Sequence, residues 1–450
     1  MPNKRLAEPA VRRIAAVVGL SVALTAGCTT HRPPAAASLS SHSATAAGTS
    51  ASGAPGSTVP SSAQPSPVCV RNTTCVPPPN PADVPAGPAP RALPAGVAAS
   101  VRVVDPWLTD GHLAQCPALT PDGLQLVCAE LLPSTSGQDK FLGLTTVDVA
   151  APHTAHTLYT ATSADAQAAL VAVSSDADWI VWSEDRGNPN EINNTDWAIY
   201  AYNRATRAVH LVSQASPADV AKHIDMPTVQ PALANGKVWW AATTTGSDGQ
   251  VRSRVFAAPV AGGDPALVAN DGLFPQPVDG NGDGPHGTTV YAEGPDAAHT
   301  AAVLRRIDAS GTMVPTNAGD RDISALAAGK AGLAWELLSQ QVVIYYQAPQ
   351  STTPVVVGSL GVQPTDNPAE LGADLLGVAD RYVVWSQSTG GMVYDTTTNT
   401  LYKVTDYDYP VIATNGGSVV WGVAPPASDH HIKDPLALRY FVLPAQPATS

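Results

Sequence analysis

Residues 380–406 read DRYVVWSQSTGGMVYDTTTNTLYKVTD, three short runs (YVVWSQ, GMVYD and TLYKVTD) parted by Ser-Thr-Gly and Thr-Thr-Thr-Asn. β-Branched and aromatic side chains suit a pleated, half-buried strand, and the small polar residues between them suit tight turns. The stretch therefore predicts three antiparallel strands. A unit this small buries both of its faces only where a copy stacks against it.

The rest of the chain supplies copies. Each begins after a Gly, Asp or Asn turn, and most close their first strand on an aromatic. DGLQLVCAE has Cys128 at that place. DWIVWSED has Trp182, NGKVWWAA has Trp240, GTTVYAEG has Tyr291, AGLAWELL has Trp335, DRYVVWSQ has Trp385 and GGSVVWG has Trp421. The spacings are 54, 58, 51, 44, 50 and 36 residues. Helical periodicity is almost absent, apart from a turn or two near 217–222. Four antiparallel strands repeated at this period predict an all-β fold, a β-propeller of seven four-stranded blades, with six or eight as the alternatives. The aromatics then sit between blades and have a packing role. The last copy is short of strands, having only SVVWG and 437–444, so residues 100–107 are expected to complete it and close the ring.

CPALTPDGLQLVCAE (116–130) resembles the Pro-Asp-Gly repeat of TolB-like propellers, with degenerate echoes at AVSSDADWIVWSED and PALANGKVWWAA. IYAYNRATRAVHLV resembles the tyrosine-aspartate hairpin that follows in such repeats. The resemblance spans residues 99–446, and only the first copy keeps Pro-Asp-Gly intact. It implies a propeller and protein–protein contact in a bacterial envelope. Its motif residues are turn formers, so fold transfers and function barely does.

At the N-terminus, residues 1–13 carry four basic side chains, and an apolar run follows from 14 to 27. That is the plan of a secretory signal, too short for a stable span. It ends in LTAGC and resembles a bacterial lipoprotein signal, which implies a diacylated Cys28 as the mature N-terminus on the outer face of the cytoplasmic membrane. Thr25 stands where that family usually has Leu. An ordinary secretion signal is the alternative. From 29 to about 98 the chain is Ala, Ser, Thr, Pro and Gly with four charges, a composition that cannot repay the entropy of folding. The segment 28–98 is read as a disordered tether, roughly 45 Å in mean span for some 70 residues.

The other four cysteines suit an exported chain with two disulfides. Proximity favours Cys69–Cys75 and Cys116–Cys128, among three connectivities. Removal of 1–27 leaves 20 basic against 36 acidic residues, a net charge of -16 that argues against a nucleic-acid partner.

Several patterns invite chemistry. Asp279, Asn281 and Asp283 before Gly284 resemble half of a calcium loop, but Val290 stands at the position of the bidentate Glu, and Glu293 is the nearest carboxylate. A polar loop without metal is the stronger reading, and no other cofactor is expected. Gly282, Gly284 and Gly287 spell a dinucleotide pattern without the helix it needs. Asp429, His430, His431 and Asp434 read as a solvated loop. His223 and Asp225 lack a paired nucleophile. Glu184 and Asp185 at a propeller mouth would suit a glycosidase pair. Ser174-Ser175-Asp176 begins like a sialidase Asp-box, but Asp178 replaces its Gly. The sequence thus points to a lipid-anchored envelope propeller that binds an envelope protein or wall polymer as a scaffold, more readily than to an enzyme. The alternative is a glycan-binding or glycan-cleaving propeller acting through loops at one mouth.

Overall fold

The computed structural model describes residues 68–70, 74–76 and 87–444, except 106–107, 133–139, 162–168, 187–195, 222–229, 247–248, 250, 280–287, 296–301, 308–312, 316–322, 339–340, 350, 352, 362–375, 388, 407–410 and 424–438. Cys28 and most of the expected tether lie outside them.

β1 (Val68–Val70) and β2 (Thr74–Val76) form a hairpin in which Cys69 faces Cys75 in register. β3 (Arg91–Ala92), the single-turn helix α1 (Ala95–Ala98) and β4 (Arg102–Val104) lead towards the sheets. The first sheet holds β5 (Leu113–Leu119), β6 (Gln125–Leu132), β7 (Lys140–Asp148) and β8 (Ala151–Thr160). The next holds β9 (Ala169–Ser175), β10 (Trp179–Asp185), β11 (Trp197–Asn203) and β12 (Val209–Gln214), followed by the helical turn α2 (Pro217–Val220). Then come β13 (Ala232–Ala234), β14 (Lys237–Thr245), β15 (Val251–Pro259) and β16 (Ala266–Ala269). A further sheet has β17 (Leu273–Asp279), β18 (Thr288–Pro295), β19 (Ala302–Ile307) and β20 (Met313–Pro315). It is followed by β21 (Ile323–Gly329), β22 (Gly332–Leu338), β23 (Gln341–Gln347) and β24 (Val355–Gly361). The stretch that opened the sequence reading forms β26 (Tyr382–Gln387), β27 (Gly390–Asp395) and β28 (Thr400–Thr405), preceded by β25 (Leu376–Val378). β29 (Val411–Asn415), β30 (Ser418–Val423) and β31 (Arg439–Leu443) end the chain's sheets.

Consecutive strands pair antiparallel, and each first strand packs against the first strand of the following sheet. β29 in turn packs on β5, so the ring shuts on itself as a β-propeller. The expectation of seven four-stranded blades is corrected in this respect: six sheets have four strands, and the β25–β28 sheet has five because β3 adds to β28 in parallel.

Stacking explains the sequence pattern. Every residue of β26 and β27 is buried, since neighbouring sheets cover both faces. The apolar clusters each join two adjacent sheets, as where Val357 and Tyr346 of one meet Trp385 and Met392 of the next. Five of the repeated aromatics, Trp182, Trp240, Trp335, Trp385 and Trp421, sit in these seams, as expected, and the first four are among the largest fully buried side chains. Four of the repeated aromatics face an aromatic directly across the second and third strands: Trp182 with Tyr200, Trp240 with Phe256, Trp335 with Tyr345 and Trp421 with Phe441. Their ring centroids lie 5.5–5.8 Å apart in stacked pairs. Cys128 faces Thr145 at this place and is bonded instead to Cys116 in a disulfide. A register shift between Gln115 and Ala118 places Cys116 at a bulge in β5.

The ends of the chain close the ring. β4 pairs with β31, Val104 facing Tyr440, as the short last copy predicted. The buried Tyr440 hydroxyl accepts the Cys116 N–H at 2.8 Å, tying that sheet to the first. Asn415 Nδ2 donates to Leu119 O at 3.0 Å and Ser175 Oγ at 2.9 Å, spanning three sheets. Upstream, Gly87 lies against Gly358 in β24, and β3 and β4 occupy the outer edges of the two sheets that follow. Residues 87–104 are thus a strap around the rim.

Candidate functional site

The two flat faces of the ring differ. One carries the turns from first to second strands, and it is built for rigidity. In Pro121-Asp122-Gly123, Gly123 has φ +68°, and Asp122 Oδ1 accepts the Leu124 N–H at 2.9 Å and the Thr120 hydroxyl at 2.6 Å. Burial alone would raise the Asp122 carboxyl, but these bonds and Arg204 hold it below its ordinary range. Asp176 Oδ1 likewise takes the N–H groups of Asp178 and Trp179, both at 2.8 Å. Ser174 Oγ accepts the Leu233 N–H of the next sheet, so the residues that resembled an Asp-box are turn and seam elements.

The opposite face is where second strands end, and polar side chains gather there. Trp182 donates its indole N–H to Glu184 Oε1 at 2.8 Å. Trp385 does the same to Gln387 Oε1 at 2.9 Å. Both acceptors stand two residues after the repeated aromatic. Glu184 is 2% exposed, and burial raises its carboxyl above the ordinary value, with Trp182 and Arg186 offsetting part of that. A carboxyl enclosed in this way, next along the strand to Asp185 and on the other side of it, does not form a glycosidase pair.

In the first sheet the same position is Glu130. Its Oε1 lies 2.6 Å from His112 Nδ1, which is 3.1 Å from Asp110 Oδ2. The ligand atoms of these three residues fall within 4.8 Å of one another, a set of one imidazole and two carboxylates that suits a divalent cation. Sequence reading missed this group because the β5–β6 pairing, and not sequence spacing, brings residues 110 and 130 together. The available signal was a carboxylate two places after the repeated Cys128.

A cleft of about 160 Å³ opens on this face between the β9–β12 and β13–β16 sheets. Trp197, Trp240 and Phe256 supply its aromatic walls, and Ser213, Thr243 and Asp219 its polar groups. Asp219 is held in place, accepting the Ser216 hydroxyl at 2.7 Å and the Thr245 N–H at 3.2 Å.

Of the expected calcium residues, Asp279 ends β17, while Asn281 and Asp283 lie outside the described residues. His223, Asp225, Asp429, His430, His431 and Asp434 also lie outside them. No helix among the described residues is long and apolar enough to cross a membrane.

No family model matches the chain, and no curated protein matches it. Among solved structures it is similar to the RRP9 WD40 repeats, at 12% identity over 80% of this chain and 99% of that one, with a TM-score of 0.43. An oligogalacturonate lyase from Vibrio parahaemolyticus is similar at 10% identity over 78% and 92%, with a TM-score of 0.43. The extracellular domain of a one-component system protein from B. thetaiotaomicron is similar at 10% identity over 75% and 39%, with a TM-score of 0.41. Likeness this distant says nothing of activity, and the propeller architecture rests on the sheets and registers above.

Proposed function

We propose that this chain is a lipid-anchored, extracytoplasmic propeller that serves as an interaction module for an envelope protein. The observation that carries the reading is the course of the strap. Residues 87–104 run along the outer edges of successive sheets, so this described stretch joins the ring at its rim and covers neither flat face. A module held by its rim presents a whole face to a partner, and a flexible tether raises the local concentration of the two. The lipoprotein-like LTAGC, the Pro-Asp-Gly turn that resembles TolB-like repeats and the acidic, cysteine-paired composition support the same address.

Cross-linking mass spectrometry of the protein in its native envelope tests this, with Cys28→Ala for comparison. The expected result is one discrete protein partner cross-linked through the ring in the native form and lost in the variant. Cross-links confined to lipid or wall material, or a partner retained equally by Cys28→Ala, would overturn the reading.

A further inference from the structure

Glu130 stands two residues after Cys128, at the place where Glu184 and Gln387 accept a buried indole N–H in their own sheets. The first sheet has no indole there. Cys128 is bonded to Cys116, so Glu130 lacks the donor that satisfies its counterparts. Its carboxylate turns instead to His112, with Oε1 2.6 Å from Nδ1. Asp110 Oδ2 approaches the same nitrogen, at 3.1 Å. The loop before β5 holds this convergence in place. Leu108 N–H donates to His112 O at 3.0 Å, Gly111 N–H donates to Leu108 O at 3.1 Å, and Gly111 takes φ +83°. The His112 N–H occupies Asp110 Oδ1 at 3.1 Å, which leaves Oδ2 for the ring nitrogen. One imidazole nitrogen carries at most one hydrogen and cannot serve two carboxylates well. Among the described ion pairs, neither carboxylate meets a lysine or arginine.

We propose that Asp110, His112 and Glu130 bind one divalent transition-metal ion of the zinc type through Oδ2, Nδ1 and Oε1. These three atoms lie within 4.8 Å of one another. Around an ion with bonds of about 2.0–2.2 Å, tetrahedral ligands stand roughly 3.3 Å apart. The 3.1 Å between His112 and Asp110 is already near that spacing. The 2.6 Å between His112 and Glu130 widens when the ion replaces the hydrogen between them, and that proton passes to solvent. An imidazole with two carboxylates is a borderline donor set, which selects zinc over calcium, whose sites take six to eight oxygens. The His112 and Glu130 side chains are 24% and 14% exposed, so the ion is reached from solvent and keeps a position for water. The site belongs to the first sheet, and not to the stretch from Asp279 to Asp283 where calcium was expected from sequence. It does not rest on the protein-partner reading, and either can fail while the other holds.

The test is calorimetric titration of the whole protein, freed of metal by chelation, with zinc in the presence of excess calcium. Cobalt(II) serves as a second probe, read by its visible absorption. Zinc binding is expected, together with a higher melting temperature and a cobalt spectrum without a thiolate charge-transfer band. Asp110→Asn keeps the turn acceptor and removes the charge, and should weaken zinc about tenfold or more. His112→Ala should abolish the site. His156→Ala, whose exposed ring pairs with Asp148 elsewhere on the sheet, should bind as the native protein does. Melting of each metal-free variant shows that it is folded. No zinc binding, calcium bound in preference, a thiolate band with cobalt, or native affinity in either folded Asp110→Asn or folded His112→Ala would overturn the proposal.

Discussion

Glu184 and Gln387 solve one problem with different chemistry, and the difference is measurable. Each accepts a buried indole proton, but only Glu184 carries a titrating carboxyl into the seam. Glu184→Ala leaves Trp182 N–H without its partner and should cost about 1–3 kcal/mol in chemical denaturation at neutral pH. Glu184→Gln keeps the acceptor and removes the desolvated charge. Since burial raises the folded-state value, the carboxyl favours folding most below its ordinary value of 4.5 and loses that advantage as pH rises. Glu184→Gln should therefore be more stable than the native protein at pH 7, with the gap narrowing as pH falls towards that value. Lower stability of Glu184→Gln at pH 7 would contradict this. In the sequence, Glu184 reads as a surface acid at a mouth, because nothing local reveals that Trp182 will turn its nitrogen towards it.

The strands were legible at the level of elements because turn chemistry and repeated aromatics agree. Asn235 and Gly236, with φ of 49° and 68°, make a tight turn that any reader of Asn-Gly would predict between β13 and β14. β3 was not legible: Arg91 and Ala92 sit in a Pro- and Ala-rich stretch without strand patterning, and only the free edge of β28 makes them one. Nor does sequence show how closely the sheets approach. A Cβ on Gly358 would fall 2.5 Å from Trp385 Cζ2 across the seam. Gly358→Ala should then destabilise the ring by about 1–3 kcal/mol, seen as a lower melting temperature. A melting temperature equal to that of the native protein would mean that the seam is looser than described.

For the whole molecule, closure depends on residues distant in sequence. Tyr440 pairs with Val104 and anchors Cys116, and the disulfide from Cys116 to Cys128 stiffens the sheet that receives this contact. On the proposed reading, the same strap sets where the chain leading back to Cys28 joins the ring, and so which surfaces a partner would reach. Comparing chains that begin at residue 87 and at residue 105 isolates its contribution, with amide hydrogen exchange as the readout. The start at 87 should retain native protection at Tyr440 and Val442. The start at 105 should lose it there, melt at lower temperature and self-associate through the exposed edge of β31. Equal protection of β31 in the two chains would contradict closure by the N-terminal strand, and with it the reading of a ring held at its rim.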